Sequence, residues 1–130
     1  MKKIAILRCL KTSASCAGTG CLRAFNERSE GFGKYAGEDV QLAAMWTCNG
    51  CGDSMLENQE EGIEKKIARM VKNNIEAVHI SHCTNKKNAE DVPVLCPTIA
   101  NISRKLEAVG VRVYDGTHGQ HASGERLKLD

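Results

Sequence analysis

The sequence predicts an α/β fold built on a small open parallel sheet, and three observations carry that reading. Short apolar runs, too brief for helices, recur at Ile4–Leu7, Val40–Trp46, Ile75–Ile80 and Val111–Tyr114. Stretches with helical periodicity separate them. A polar turn carrying Cys or His follows each run. The resulting β-α-β-α-β-α-β alternation implies right-handed crossovers. The economical solution is flavodoxin-like: four strands in the order 2-1-3-4 with three helices, and a ligand crevice at the carboxyl ends of the strands.

Each element has its own reason. Ile4–Leu7 is uniformly apolar, as a strand buried on both faces requires. The loop from Cys9 to Gly20 is rich in Ser, Thr and Gly. A helix is expected from near Thr19 to about Ser29, with Leu22, Ala24 and Phe25 inward and Gly31 and Gly33 ending it. Val40–Trp46 is the second strand, and the turn formers of Thr47–Ser54 follow it. Ile63, Ile67, Met70 and Val71 form one apolar stripe on a helix over about Leu56–Asn73, which Asn73-Asn74 stops. The third strand, Ile75–Ile80, leads into Ser81-His82-Cys83 and a polar loop. Pro97 opens the last helix, with Cys96 as N-cap. Ile99, Ile102, Leu106 and Val109 line its inner face and Gly110 caps it. Val111–Tyr114 is the fourth strand, and the charged tail after it is expected to be loose.

Bulk properties narrow the function. A length of 130 residues fits one domain over 1–130. The net charge is +2, with no basic block and only a single Trp, two Tyr and two Phe. Nucleic-acid binding therefore has no support. Nothing approaches the roughly 20 apolar residues of a membrane span. The apolar run after Met1-Lys2-Lys3 stops at Arg8, too soon for a signal peptide. The expected location is cytoplasmic, a reducing compartment where dense cysteine means metal or thiol chemistry rather than structural disulfides. The odd count of seven cysteines agrees.

The thiols fall where strands end. Cys9, Cys48, Cys51 and Cys83 each lie just beyond an apolar run, so the fold brings them to one edge. Cys48-Asn49-Gly50-Cys51 is a C-x-x-C, a spacing that serves either a metal ion or thiol–disulfide exchange. Cys96, at a helix N-terminus, is expected to have a stabilised thiolate. The candidate metal ligands are Cys9, Cys48, Cys51 and Cys83, then Cys96, with Cys16 and His118 completing the set. Cys21 reads equally well as a buried small hydrophobe. His79 reads as a hydrogen-bonded core residue, His82 as facing the crevice, His121 as a surface residue and Trp46 as core. No phosphatase-type C-x5-R loop fits: six residues separate Cys16 from Arg23. Gly18-Thr19-Gly20 begins a dinucleotide fingerprint that Arg23 breaks.

Jointly, Arg8-Cys9, Cys16-Ala17-Gly18-Thr19-Gly20-Cys21, Thr47-Cys48-Asn49-Gly50-Cys51-Gly52, His79-Ile80-Ser81-His82-Cys83, Cys96-Pro97 and Gly116-Thr117-His118 resemble the CGGC-domain proteins, small prokaryotic α/β proteins. The resemblance runs from about Lys3 to His118. It implies a metal-binding domain, with zinc the ion usually suggested from the Cys and His content, and it implies no particular reaction. Asn49 departs from it, standing where the name-giving motif has the first of two glycines.

Two functions follow as expectations. One is a metal-binding protein holding zinc, or a 4Fe-4S cluster, through thiolates at the carboxyl edge. The other is a thiol–disulfide oxidoreductase or reductase using Cys48/Cys51 with Cys96 or Cys83. The partner class is then a redox or metal-donor protein. A homodimer is also expected. The strand order puts two helices on one face of the sheet and leaves the other to a short polar helix and the Phe32–Tyr35 loop.

Overall fold

The structure is a computed structural model, and it describes residues 1–51, 55–81, 83, 85–87, 90, 93–119 and 122–129. In chain order the elements are β1 (Lys2–Arg8), α1 (Leu10–Ser13), α2 (Thr19–Glu27), a 3₁₀ helix (Glu30–Tyr35), β2 (Val40–Thr47), α3 (Gln59–Lys72), β3 (Ala77–Ile80), β4 (Asn85–Lys87), β5 (Pro93–Leu95), α4 (Pro97–Ala108) and β6 (Arg112–Asp115). The four-stranded sheet has the order β2-β1-β3-β6 and is parallel throughout. With β6 as the fourth predicted strand, this is the 2-1-3-4 order the sequence implies. The antiparallel β4–β5 hairpin was expected as a loop.

Side chains alternate across the sheet. Ala5, Leu7, Trp46, Cys48, Val78, Ile80 and Val113 pack against α3 and α4 in the larger core. Ile4, Ile6, Val40 and Ala77 pack against α2 and the 3₁₀ helix in the smaller one. A register shift after Ile4 bulges β2, so that Ile4 pairs with Leu42 but Ala5 with Ala44. This hands β2 from the smaller core to the larger one along its length.

Phe32 and Tyr35 are both buried in the smaller core. The chain thus covers with its own 3₁₀ helix the face that gave a homodimer its motive. The helix follows directly on α2 because Arg28 takes the left-handed conformation at φ 54°. Its guanidinium compensates the strain: it donates to the carbonyls of Phe25 at 2.6 Å and Val40 at 3.1 Å, and lies over the Phe25 ring. Arg28, and neither Gly31 nor Gly33, ends α2. Gly31 serves a close approach instead: its N–H donates to the Thr117 carbonyl at 3.0 Å, and any Cβ would collide with the Gly116 carbonyl.

Other expectations need correction. Leu22, Val71 and Val109 are exposed, and Cys21 takes the inward place on α2. All three lie at the margins of their stripes, where a few degrees of helix rotation decide burial. The tail is anchored along β6: Leu127 N–H donates to the Val113 carbonyl at 2.9 Å, and Gly124 N–H to the Asp115 carbonyl at 2.7 Å. Gly110, at φ 88°, follows α4 as expected. No helix among the described residues is long and apolar enough to cross a membrane.

Candidate functional site

Register fixes the carboxyl edge. Arg8 pairs with Thr47, Leu7 with Ile80, and Ile80 with Asp115. The segments beginning at Cys9, Cys48, Ser81 and Gly116 therefore leave the sheet at one level. The Cys48 N–H still donates to the Arg8 carbonyl at 3.2 Å, and Ser81 N–H to the Leu7 carbonyl at 3.1 Å.

The C-x-x-C turn is held by α3. Asn49 and Gly50 both have left-handed backbones, at φ 61° and 89°, a conformation Asn accepts better than most side chains. Gln59 Nε2 donates to the Cys48 carbonyl at 3.0 Å, and Lys66 Nζ to the Thr47 carbonyl at 3.0 Å and to Asn49 Oδ1 at 2.5 Å. Burial lowers the pKa of Lys66, and the neighbouring Cys48 sulfur pushes it back up. Gly50 N–H points at Cys48 Sγ, 3.4 Å away. Gln59 and Lys66 escaped sequence reasoning because both look like ordinary polar residues on a solvated helix face.

All seven cysteines are thiols, none in a disulfide. Cys48 and Cys96 are buried together in the larger core. Cys96 is the N-cap of α4 with Pro97 behind it, as expected, but its sulfur makes no capping hydrogen bond. Cys9 is the half-buried N-cap of α1, and Cys51 is half-buried at the end of the turn. Cys83 Sγ lies 2.7 Å from Ser81 Oγ.

Cys16 and Cys21 lie on the α2 side. The Gly18 N–H holds the Cys16 thiol below its usual pKa against some burial, helped by the Arg8 guanidinium. Burial raises the pKa of Cys21; its contact with Thr117 Oγ1 at 3.1 Å lowers it, and neighbouring Cys83 raises it again. His118 packs its ring on Gly20: three ring atoms lie 2.8–2.9 Å from where a Cβ would stand. The candidate ligands thus share the sheet edge but divide between its two faces. His82 and His121 lie outside the described residues.

His79 is a core residue, as expected. Its Nδ1 lies 3.0 Å from the Gly116 carbonyl, which can only accept, so Nδ1 carries the proton and Nε2 accepts from Tyr35 O–H at 2.9 Å. Burial drives its pKa down to about 4, against the Gly116 bond.

A thiol-rich donor set suits a thiophilic ion. The geometry is less complete: among the described residues, no three His, Cys, Asp or Glu side chains are grouped to hold a metal ion.

Comparison with known families adds one finding. The CGGC domain profile matches residues 3–118, nearly the whole chain. The chain belongs to the CGGC domain family. Neither a curated protein nor a solved structure matches it. Membership of the CGGC family points to metal binding in general and leaves the ion open.

Proposed function

We propose that this CGGC protein binds a thiophilic metal through cysteine thiolates at the carboxyl edge of the sheet, zinc first and a 4Fe-4S cluster as the rival. The observation that carries the reading is the shared exit level of the segments bearing Cys9, Cys48, Cys51 and Cys83, one beyond each of three adjacent strands. Cys96, the N-cap of α4, is buried in the same core as Cys48. The described thiols do not stand as a finished three-donor group, so the reading requires the edge loops to draw in around the ion. Cys48 and Cys51 are the natural first pair, because one clamped turn carries both. Elemental analysis of protein purified without air or chelator tests this, with about one equivalent of zinc expected. Visible absorption with iron and sulfide would transfer the reading to a cluster. Metal-free protein would end it.

A second reading is favoured by the C-x-x-C turn itself, with Gly50 N–H aimed at Cys48 Sγ. Oxidation of Cys48 and Cys51 to a disulfide would pass two electrons and two protons to a partner disulfide, releasing two thiols there. Should that preparation carry no metal, alkylation before and after exposure to a disulfide such as oxidised glutathione tests this reading, which predicts a Cys48–Cys51 disulfide that a dithiol reverses.

A further inference from the structure

Arg8 ends β1 on the α2 side of the sheet, the side that Ile4 and Ile6 also face. It is 8% exposed, and its Nε is buried without a hydrogen-bond partner. Its other nitrogens reach the Cys16 carbonyl and, at 3.9 Å, Met45 Sδ, and the guanidinium also lies against the Cys16 thiol, which it helps to hold below its usual pKa. No carboxylate pairs with it among the described residues. A guanidinium keeps its charge at every physiological pH, and burial without a counter-charge is strongly unfavourable.

The nine-residue helix α2 starts beside this cation. Arg8 Nη1 lies 3.7 Å from where a Cβ on Gly18 would stand, and no side chain caps the helix. Backbone bonding within α2 begins only at Leu22, whose N–H donates to the Gly18 carbonyl at 3.0 Å. The amides of Thr19, Gly20 and Cys21 precede it and have no partner within the helix. His118 closes the other side of the same turn, its ring on Gly20. A buried fork of donors, a helix N-terminus and an imidazole thus converge on one glycine-flanked turn.

We infer that Arg8, the first-turn amides of α2 and His118 form a binding site for a tetrahedral oxyanion of the phosphate class. Each part suits that ligand. A guanidinium matches two oxygens of such an anion at once, and helix N-termini bind anions through open amides and the helix dipole. The anion would supply an acceptor for the unpartnered Nε and a charge that no carboxylate among the described residues gives Arg8. Nothing here depends on a metal, and the thiols that carry the metal reading are not part of this site; His118 alone is common to it and to the wider candidate ligand set.

The test is a titration of the full, reduced, isotope-labelled chain with inorganic phosphate, with chelator present and with chloride at matched ionic strength as the control. Saturable shifts are expected at the amides of Thr19, Gly20 and Cys21 and at the His118 ring, with chloride giving none. Phenyl phosphate, run in parallel, tells a free anion site from one that admits phosphate esters. Arg8→Lys keeps a charge for folding but loses the fork, and about tenfold weaker binding is expected. Gly20→Ala, which displaces His118, should weaken it as well. Absence of a saturable phosphate shift at these amides in the unaltered chain would overturn the proposal. So would binding of unchanged strength in both variants.

Discussion

His79 shows how one buried side chain ties pH to stability. It lies among Phe32, Tyr35 and Tyr114, its ring stacked on Tyr114 with centroids 5.2 Å apart. Among the described residues the charged group that acts on it is Lys34, whose ammonium sits over the Tyr114 ring and also disfavours an imidazolium. The unfolded chain binds a proton on this histidine near the ordinary pKa of about 6.5, while the folded chain holds off until about 4. The contribution is therefore complete above about pH 6.5 and is lost as pH falls toward about 4. The slope is about 1.4 kcal/mol per pH unit. Urea unfolding at about pH 7 and about pH 5 should show the midpoint falling, and His79→Phe should flatten that dependence between the same limits. A slope equal in both proteins would assign it to other groups.

At the scale of elements, the C-x-x-C turn and α3 act as one unit. Leu56 N–H donates to the Asn49 carbonyl at 2.9 Å, and Asn49 is buried under the helix, its Nδ2 only 2.6 Å from the point a Cβ on Gly62 would occupy. Glycine inside a helix ordinarily costs about 1 kcal/mol relative to alanine. Gly62→Ala should nonetheless bring no gain, because Asn49 would have to leave Lys66 to make room. Combined with Asn49→Gly, the same substitution should recover the helical gain, a coupling of about 1 kcal/mol in a double-mutant cycle read by urea unfolding. Simple additivity of the two changes would refute the pairing. The four sheet strands and three main helices were legible because their apolar spacing is local. The 3₁₀ helix and the anchored tail were not, since both depend on partners distant in sequence; the β4–β5 hairpin is local, but its polar Asn85-Lys86-Lys87 strand carries no apolar signal. The tail pairs with β6, and Gly31 touches Gly116 across the fold. Arg8 was visible only as the charge that stops β1; that it is buried follows from its sharing a face with Ile4 and Ile6.

For the whole molecule, the sheet sorts the thiols by depth and face, which local spacing along the chain does not reveal. Cys21, Cys48 and Cys96 are buried, in two different cores, while Cys9, Cys16, Cys51 and Cys83 are half-buried. Thiolate fraction and access together set the rate of alkylation. In metal-free, reduced protein the half-buried set should therefore react first, Cys16 ahead of the others because its thiol is held low beside Gly18 and Arg8. Cys21, Cys48 and Cys96 should wait for the fold to open, at rates that rise together with denaturant. Zinc changes the pattern in a way that separates binding from mere burial. If Cys51 is drawn onto an ion with Cys48, it should become slow while Cys16 stays fast. Cys48→Ser should then release Cys51 from protection, and Cys21→Ser should not. Residue-resolved mass spectrometry of alkylation time courses reads all of this in one experiment. Protection of Cys51 that survives Cys48→Ser would show that the turn does not act as a two-thiol ligand.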